Sequence, residues 1–124
     1  MAEPIYKVES FKIIGCCMDV HRELGKGHDE VIYKDALEIE FGRQGINFSR
    51  EREHKLIYKG VLLPHKYYSD FVVSDQIILE AKAVEALTNS HVKQTLNYLA
   101  AAKLKLGLLV NFGEDSLSYK RVVL

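Results

Sequence analysis

Tyr67-Tyr68-Ser69-Asp70-Phe71-Val72-Val73-Ser74-Asp75-Gln76-Ile77-Ile78-Leu79-Glu80-Ala81-Lys82-Ala83-Val84 is the stretch on which the fold turns. Two runs rich in β-branched and aromatic residues, Tyr67–Val73 and Ile77–Val84, flank a polar Ser74-Asp75-Gln76 link, which is the pattern of a β-hairpin. The second run is almost continuously apolar, as in a central strand covered on both faces. Into this setting the chain places three charges: Asp70 in the first strand, Glu80 and Lys82 in the second. Strand side chains alternate between faces, so Glu80 and Lys82 project to one side, about 6–7 Å apart. A charge taken out of water is costly unless it is paired or holds a metal. Two carboxylates and an ammonium on such strands therefore point to chemistry. The plain structural alternative is an ion pair between Glu80 and Lys82 on a solvated face.

Register decides whether the acids can meet. If Val73 and Gln76 closed a two-residue turn, Asp70 would lie opposite Leu79 and share its face, away from Glu80. An odd loop, Ser74-Asp75-Gln76 closed by Val73 and Ile77, puts Asp70 opposite Glu80. A bulge has the same effect, because one residue of slip moves every side chain to the other face. Neither Asp75 nor Gln76 is glycine, so a tight primed turn is not favoured. The odd loop is expected, with Asp70, Glu80 and Lys82 converging.

The 124 residues suffice for one domain, 1–124, around a single core. Hydrophobic content of 48% with 27% charged residues is ordinary for a globular protein. A net charge of zero argues against a tight, non-specific polyanion binder, although a local basic strip would be invisible in the sum. The adjacent Cys16 and Cys17 offer neither a disulfide framework nor zinc-ligand spacing, and a buried apolar role is expected. No signal-peptide pattern and no membrane-spanning apolar run is read, so a cytoplasmic protein is expected.

Outward from the hairpin, Ser10 is read as the cap of a helix to about Leu24, ended by Gly25-Lys26-Gly27. Asp29 opens a second helix to about Gln44, with Ile32, Ala36 and Ile39 as one stripe and Glu30 and Tyr33 on a neighbouring face. Ile46–Tyr58 reads as a strand and Lys59-Gly60 as a turn. Val61 opens the strand that carries Asp70, irregular around Pro64 and His65. Thr88-Asn89-Ser90 supplies caps for a helix from His91 to about Leu106, closed by Gly107. Leu108–Phe112 is a short buried strand and Leu117–Val123 an edge strand. The class is α/β (α+β), a central mixed β-sheet flanked by helices in the order ααβββαββ.

Gly27-His28-Asp29-Glu30-Val31-Ile32-Tyr33 resembles the signature of the GxxExxY protein family, and Val20-His21-Arg22-Glu23-Leu24-Gly25 before it fits the same pattern. Tyr68-Ser69-Asp70-Phe71, Glu80-Ala81-Lys82 and Asn111-Phe112-Gly113 are similar to that family too, so the resemblance covers nearly the whole chain. The family is grouped with the PD-(D/E)XK nuclease-like superfamily. The resemblance thus implies a restriction-endonuclease-like core and metal-dependent hydrolysis of phosphodiester bonds, with Asp70 as the first acid, Glu80 and Lys82 as the Glu-X-Lys pair and Glu30 as the helix acid. Ser69 stands where the superfamily pattern has proline before the first acid.

Those residue types suit Mg²⁺ or Mn²⁺, hard ions that take oxygen ligands. Asp70 and Glu80 would each give an oxygen, the Ala81 backbone carbonyl a third, and Glu30 would join directly or through water. Lys82 would orient the attacking water or stabilise charge at the phosphorus. Gln94 and Tyr98, four apart on one helix face, would contact a substrate phosphate or brace Lys82. His21 could approach Glu30 across the helical hairpin or be an ordinary core-edge histidine. Tyr33 is read as packed, with its hydroxyl bonded, in preference to a catalytic role. Arg50, Arg52 and His54 alternate onto one strand face and could track a nucleic acid backbone. The interleaved Glu51 and Glu53 favour a solvated edge strand instead.

Two functions stay open on the sequence. One is a nuclease acting on nucleic acid, DNA favoured over RNA, working as a homodimer if it cuts both strands of a duplex. The other is a non-catalytic module of the same fold within a larger nucleic-acid-processing assembly.

Overall fold

A computed structural model describes residues 4–124. Along the chain lie α1 (Lys7–Leu24), α2 (Glu30–Arg43), β1 (Phe48–His54), β2 (Ile57–Tyr58), β3 (Val61–Leu62), β4 (Tyr67–Val73), β5 (Ile77–Lys82), α3 (Asn89–Ala102), β6 (Leu106–Asn111) and β7 (Ser118–Val123). Five strands form one mixed sheet in the order β1-β4-β5-β6-β7, and β2 and β3 pair only with each other. With that small hairpin set aside, the order is the expected ααβββαββ.

The alternation of β4 and β5 divides the core into two layers. Phe71, Val73, Ile77, Leu79 and Ala81 pack with Ile13, Cys17, Tyr33, Leu37 and Phe41 of α1 and α2. Val72 and Ile78 point the other way, to Leu99 of α3 and Leu109 and Val122 of the sheet. Helices thus cover both faces. The α3 crossover makes β5 and β6 parallel, whereas every other neighbouring pair in the large sheet is antiparallel. Both parallel strands are buried almost throughout, as strands covered on two faces must be.

Several local expectations need correction. Ser10 does not cap α1. The helix begins at Lys7, and the Ser10 hydroxyl donates to the Tyr6 carbonyl (2.7 Å) from inside the first turn. In α2, Ile32 and Ile39 are exposed, and the buried stripe is Tyr33, Leu37 and Phe41. The Ile46–Tyr58 strand is two elements, because the ladder with β4 ends at His54↔Tyr67 and the chain leaves the sheet. α3 stops at Ala102, where Lys103 adopts a left-handed conformation (φ 58°). Gly107 therefore closes no helix; it lies in β6, where a Cβ would meet Thr95 Cγ2 at 2.6 Å.

Asn111-Phe112-Gly113 ties the ends of β5 and β6 together. Asn111 Oδ1 accepts from the Val84 and Gly113 N–H groups (3.0 Å each), and Nδ2 donates to the Val84 carbonyl (2.9 Å). The two backbones come so close that a Cβ on Gly113 would stand 2.2 Å from the Val84 oxygen. Since this clash is with main chain, Gly113→Ala should cost about 3 kcal/mol, the upper end for overpacking. Urea denaturation checks it, and a loss well under ~1 kcal/mol would show that the junction can yield.

Candidate active site

The hairpin closes with Val73 opposite Ile77, then Val72 opposite Ile78 and Phe71 opposite Leu79. The odd three-residue loop is therefore present, built with Ser74 and Asp75 both at positive φ (53° and 55°). The next pair in this register is Asp70 with Glu80. Here side chains take over from the carbonyl ladder. The Asp70 N–H donates to Glu80 Oε2 (2.7 Å), and the Ala81 N–H donates to Asp70 Oδ2 (2.9 Å). Each acid is thus clamped to the other's strand by a main-chain donor.

Both acids are buried, with Glu80 only 2% exposed. Burial, reinforced by the Asp70 charge, pushes the Glu80 carboxyl up to about 8, although the Asp70 N–H and Lys82 act against the rise. Lys82 forms no ion pair with Glu80 among the described residues; its Nζ donates to Gln94 Oε1 (2.8 Å). Gln94 thus braces Lys82. Glu30 is half-buried at the start of α2. Burial raises its carboxyl and Asp70 adds to that, while Lys82 and Lys34 pull it down. Tyr98 lies one helical turn beyond Gln94. Burial first, then the Glu80 and Asp70 charges, push its hydroxyl up to about 12.

Two participants escaped the sequence reading. Lys34 Nζ, on a side chain only 11% exposed, bridges Asp70 Oδ1 (3.1 Å) and Glu51 Oε1 (2.7 Å). Burial alone would lower its ammonium, but the bonds to Glu51 and Asp70 leave it raised. The signal was available: Lys34 stands four residues after Glu30 and shares its helix face. Glu51 occupies the register position opposite Asp70 and has φ 52°, a left-handed conformation unusual for a residue with a Cβ. That backbone turn could not be read from the sequence.

Other candidates fall away from the acids. His21 Nε2 bonds the Glu114 carbonyl (3.0 Å) and its ring packs on Phe112, so it serves the core edge. Tyr33 is fully buried and stacked on Phe112, and its hydroxyl donates to the Gly25 carbonyl (2.6 Å) while accepting from the His28 N–H (3.2 Å). It pins the joint between α1 and α2, so His21 and Tyr33 both sit in packed, hydrogen-bonded positions around Phe112 and that joint. On β1, an edge strand of the sheet, the side chains that could have formed a basic strip are engaged within the chain: Arg50 bonds Asp35, Arg52 bonds Asp75, and buried His54 bonds the Ser69 hydroxyl. Cys16 and Cys17 are buried, and burial pushes the Cys16 thiol up to about 11.

The donor set can be tested against a divalent cation. Among the described residues no three His, Cys, Asp or Glu side chains are grouped as a ready metal cage. The Asp70–Glu80 pair nevertheless suits a hard cation in chemistry: both groups are oxygen donors, and burial together with the Asp70 charge raises the Glu80 carboxyl, a cost that a bound cation would offset. Lys34 supplies part of that charge at Asp70 Oδ1. An ion bridging both acids would have to compete with it.

Comparison with known proteins bears on the same arrangement. A family model described as PD-(D/E)XK nuclease superfamily matches residues 7–122. Among solved structures, the crystal structure of SSO0001 superposes with a TM-score of 0.61 at 20% identity, over 74% of this chain and 48% of that one. The chain thus spans about half the length of that protein, and the likeness at this identity is one of fold. No curated protein matches the sequence.

Proposed function

Because the chain belongs to the PD-(D/E)XK nuclease superfamily, we propose that it is a metal-dependent nuclease whose site is built on Asp70, Glu80 and Lys82, with Glu30 beside them. The observation that carries the reading is the reciprocal clamp of Asp70 and Glu80, two carboxyl groups buried side by side. Within the superfamily, the GxxExxY resemblance of Gly27–Tyr33 is the finer assignment we favour.

Mg²⁺ or Mn²⁺ would be held by Asp70, Glu80 and the Ala81 carbonyl, with Glu30 joining directly or through water. Such an ion polarises a phosphate oxygen and makes water a better nucleophile at neutral pH. The chain's own groups do the rest. Gln94 orients the Lys82 ammonium, which neutralises charge developing on the phosphate oxygens. The clamp fixes the two carboxylates relative to each other before substrate arrives, and burial keeps bulk water from screening them.

Nucleic acid is the partner, with DNA favoured over RNA. A homodimer is the form suited to cutting both strands of a duplex, and the cytoplasm is the compartment proposed. The proposed unit is one domain, 1–124. No helix among the described residues is long and apolar enough to cross a membrane.

The second reading, a non-catalytic module of the same fold, is favoured by Lys34, which already neutralises Asp70. Calorimetry with Mn²⁺ and a cleavage assay on branched DNA, single-stranded DNA and RNA decide between the two. The nuclease reading expects saturable binding and metal-dependent cleavage of at least one substrate. Neither binding nor cleavage with any divalent metal leaves the module.

A further inference from the structure

The β2–β3 hairpin stands apart from the five-stranded sheet. Its ladder contains only Ile57↔Leu62 and Tyr58↔Val61, and the Leu63 N–H closes it on the Leu56 carbonyl (2.8 Å). Lys59 and Gly60 turn it with φ values of 48° and 78°, the primed geometry that keeps two short strands paired. Opposed residues in a ladder share a face, so Tyr58 and Val61 line one side and Ile57 and Leu62 the other. All four are exposed, Ile57 to 69% and Val61 to 65%. A blade with apolar groups on both sides and no covering layer is costly to keep in water.

Its charge is one-sided. From 55 to 66 the sequence holds Lys55, Lys59, His65 and Lys66 and no acid, in a chain whose net charge is zero. Lys66 is partly answered by Glu53 (3.3 Å), but no carboxylate among the described residues pairs with Lys55 or Lys59. At the foot of the blade an aromatic row begins. The His65 ring meets Tyr67 at 5.3 Å, and Tyr67 meets Tyr98 at 5.6 Å, both edge-on. Tyr98 stands one turn from Gln94, the partner of Lys82. Tyr67 precedes Asp70 by three strand residues, about 10 Å. The aromatic row thus leads from the foot of the blade to Tyr98, whose hydroxyl feels the Glu80 and Asp70 charges, while on the blade Lys59 lies over the Tyr58 ring at 5.5 Å.

We propose that this blade and the His65–Tyr67–Tyr98 row bind unpaired nucleotides, so that the substrate is a nucleic acid with a single-stranded segment. The inference rests on the nuclease reading and names its substrate class. Bases in a duplex present only their edges, whereas unpaired bases offer faces that stack on tyrosine and histidine without regard to sequence. Lys55 and Lys59 then lie where the backbone of that strand would pass, and the apolar blade gains cover from the bases.

The test is binding with metal chelated, which is independent of cleavage. Fluorescence anisotropy is read with labelled oligodeoxythymidine, oligouridine and a blunt duplex, at several salt concentrations. Wild type should prefer a single strand over the duplex, and the two single-stranded probes report which sugar it favours. Tyr67→Ala should weaken single-strand binding about 5- to 150-fold, the range for losing one stacked base. The paired change Lys55→Gln with Lys59→Gln should flatten the salt slope by about 1.4. Because Tyr67→Ala could disturb folding, Ile57→Ser with Leu62→Ser, both exposed, provides a second variant and should also weaken the single strand selectively. Equal affinity for duplex and single strand overturns the proposal, as does unchanged binding in the two exposed-residue variants. A change of sedimentation in Ile57→Ser/Leu62→Ser with no change in nucleic acid binding assigns the blade to self-association and also overturns it. Loss of the nuclease reading looks different: tyrosine-dependent single-strand binding persists with no metal-dependent cleavage.

Discussion

Lys82→Ala is expected to lower the cleavage rate by about 10²–10³-fold, the usual loss for one contact made to the transition state. Affinity for Mn²⁺ should hold or rise, because a competing positive charge is gone. The melting temperature of the metal-free protein should change little. Lys82 bonds Gln94 and forms no ion pair with Glu80 among the described residues, so its removal does not strand a directly paired carboxylate. The Asp70 N–H that donates to Glu80 Oε2 stays in place. Calorimetry, melting curves and a cleavage assay on one preparation separate the possibilities. An early-melting variant with unaltered cleavage would make Lys82 a structural residue.

Glu80→Gln should produce the opposite combination: a more stable metal-free protein at alkaline pH and loss of the response to metal. In the folded chain the Glu80 carboxyl ionises near 8, against 4.5 for the ordinary group. Between these values the folded state holds a proton that the unfolded state has released, so wild-type stability falls as pH rises through the window and levels off above it. The slope cannot exceed about 1.4 kcal/mol per pH unit for one group, and coupling to Asp70 limits the total to the order of a few kcal/mol. Glutamine keeps an oxygen for the Asp70 N–H and carries no charge, so this component of the slope should vanish. Mn²⁺ should raise the melting temperature of wild type, by mass action on the folded state, and leave Glu80→Gln unmoved. Urea titrations from pH 5 to 9, with and without Mn²⁺, measure both effects. An identical pH dependence in the two proteins would show that Glu80 is not the group under strain.

The Asp70–Glu80 meeting was legible because it depends on parity. A loop of three residues and the alternation of strands leave little freedom, and the apolar flanks fix which way the strands face. Lys34 was missed although its spacing from Glu30 was in view, since an exposed-looking helix lysine carries no mark of the acid it will meet. Glu51 needed the left-handed turn at its own backbone, which has no glycine to announce it. The β2–β3 hairpin hid inside a longer β-rich run, because residues that favour strands look alike whether they join the large sheet or leave it. His21 and Tyr33 are near the signature motif in sequence yet serve Phe112 and the helical joint.

The clamp has a spectroscopic consequence. The amide protons of Asp70 and Ala81 point at carboxylate oxygens where their strand neighbours point at carbonyls. A proton facing a charged acceptor resonates and exchanges differently from one facing a neutral acceptor, so these two amides are built-in probes of the ionisation of each acid. Whatever neutralises the pair, whether a proton, a metal or the Lys34 ammonium, alters the last two bonds joining β4 to β5. The charge state of the site is therefore tied to the open end of the β4–β5 pairing and is readable at two backbone positions without any label.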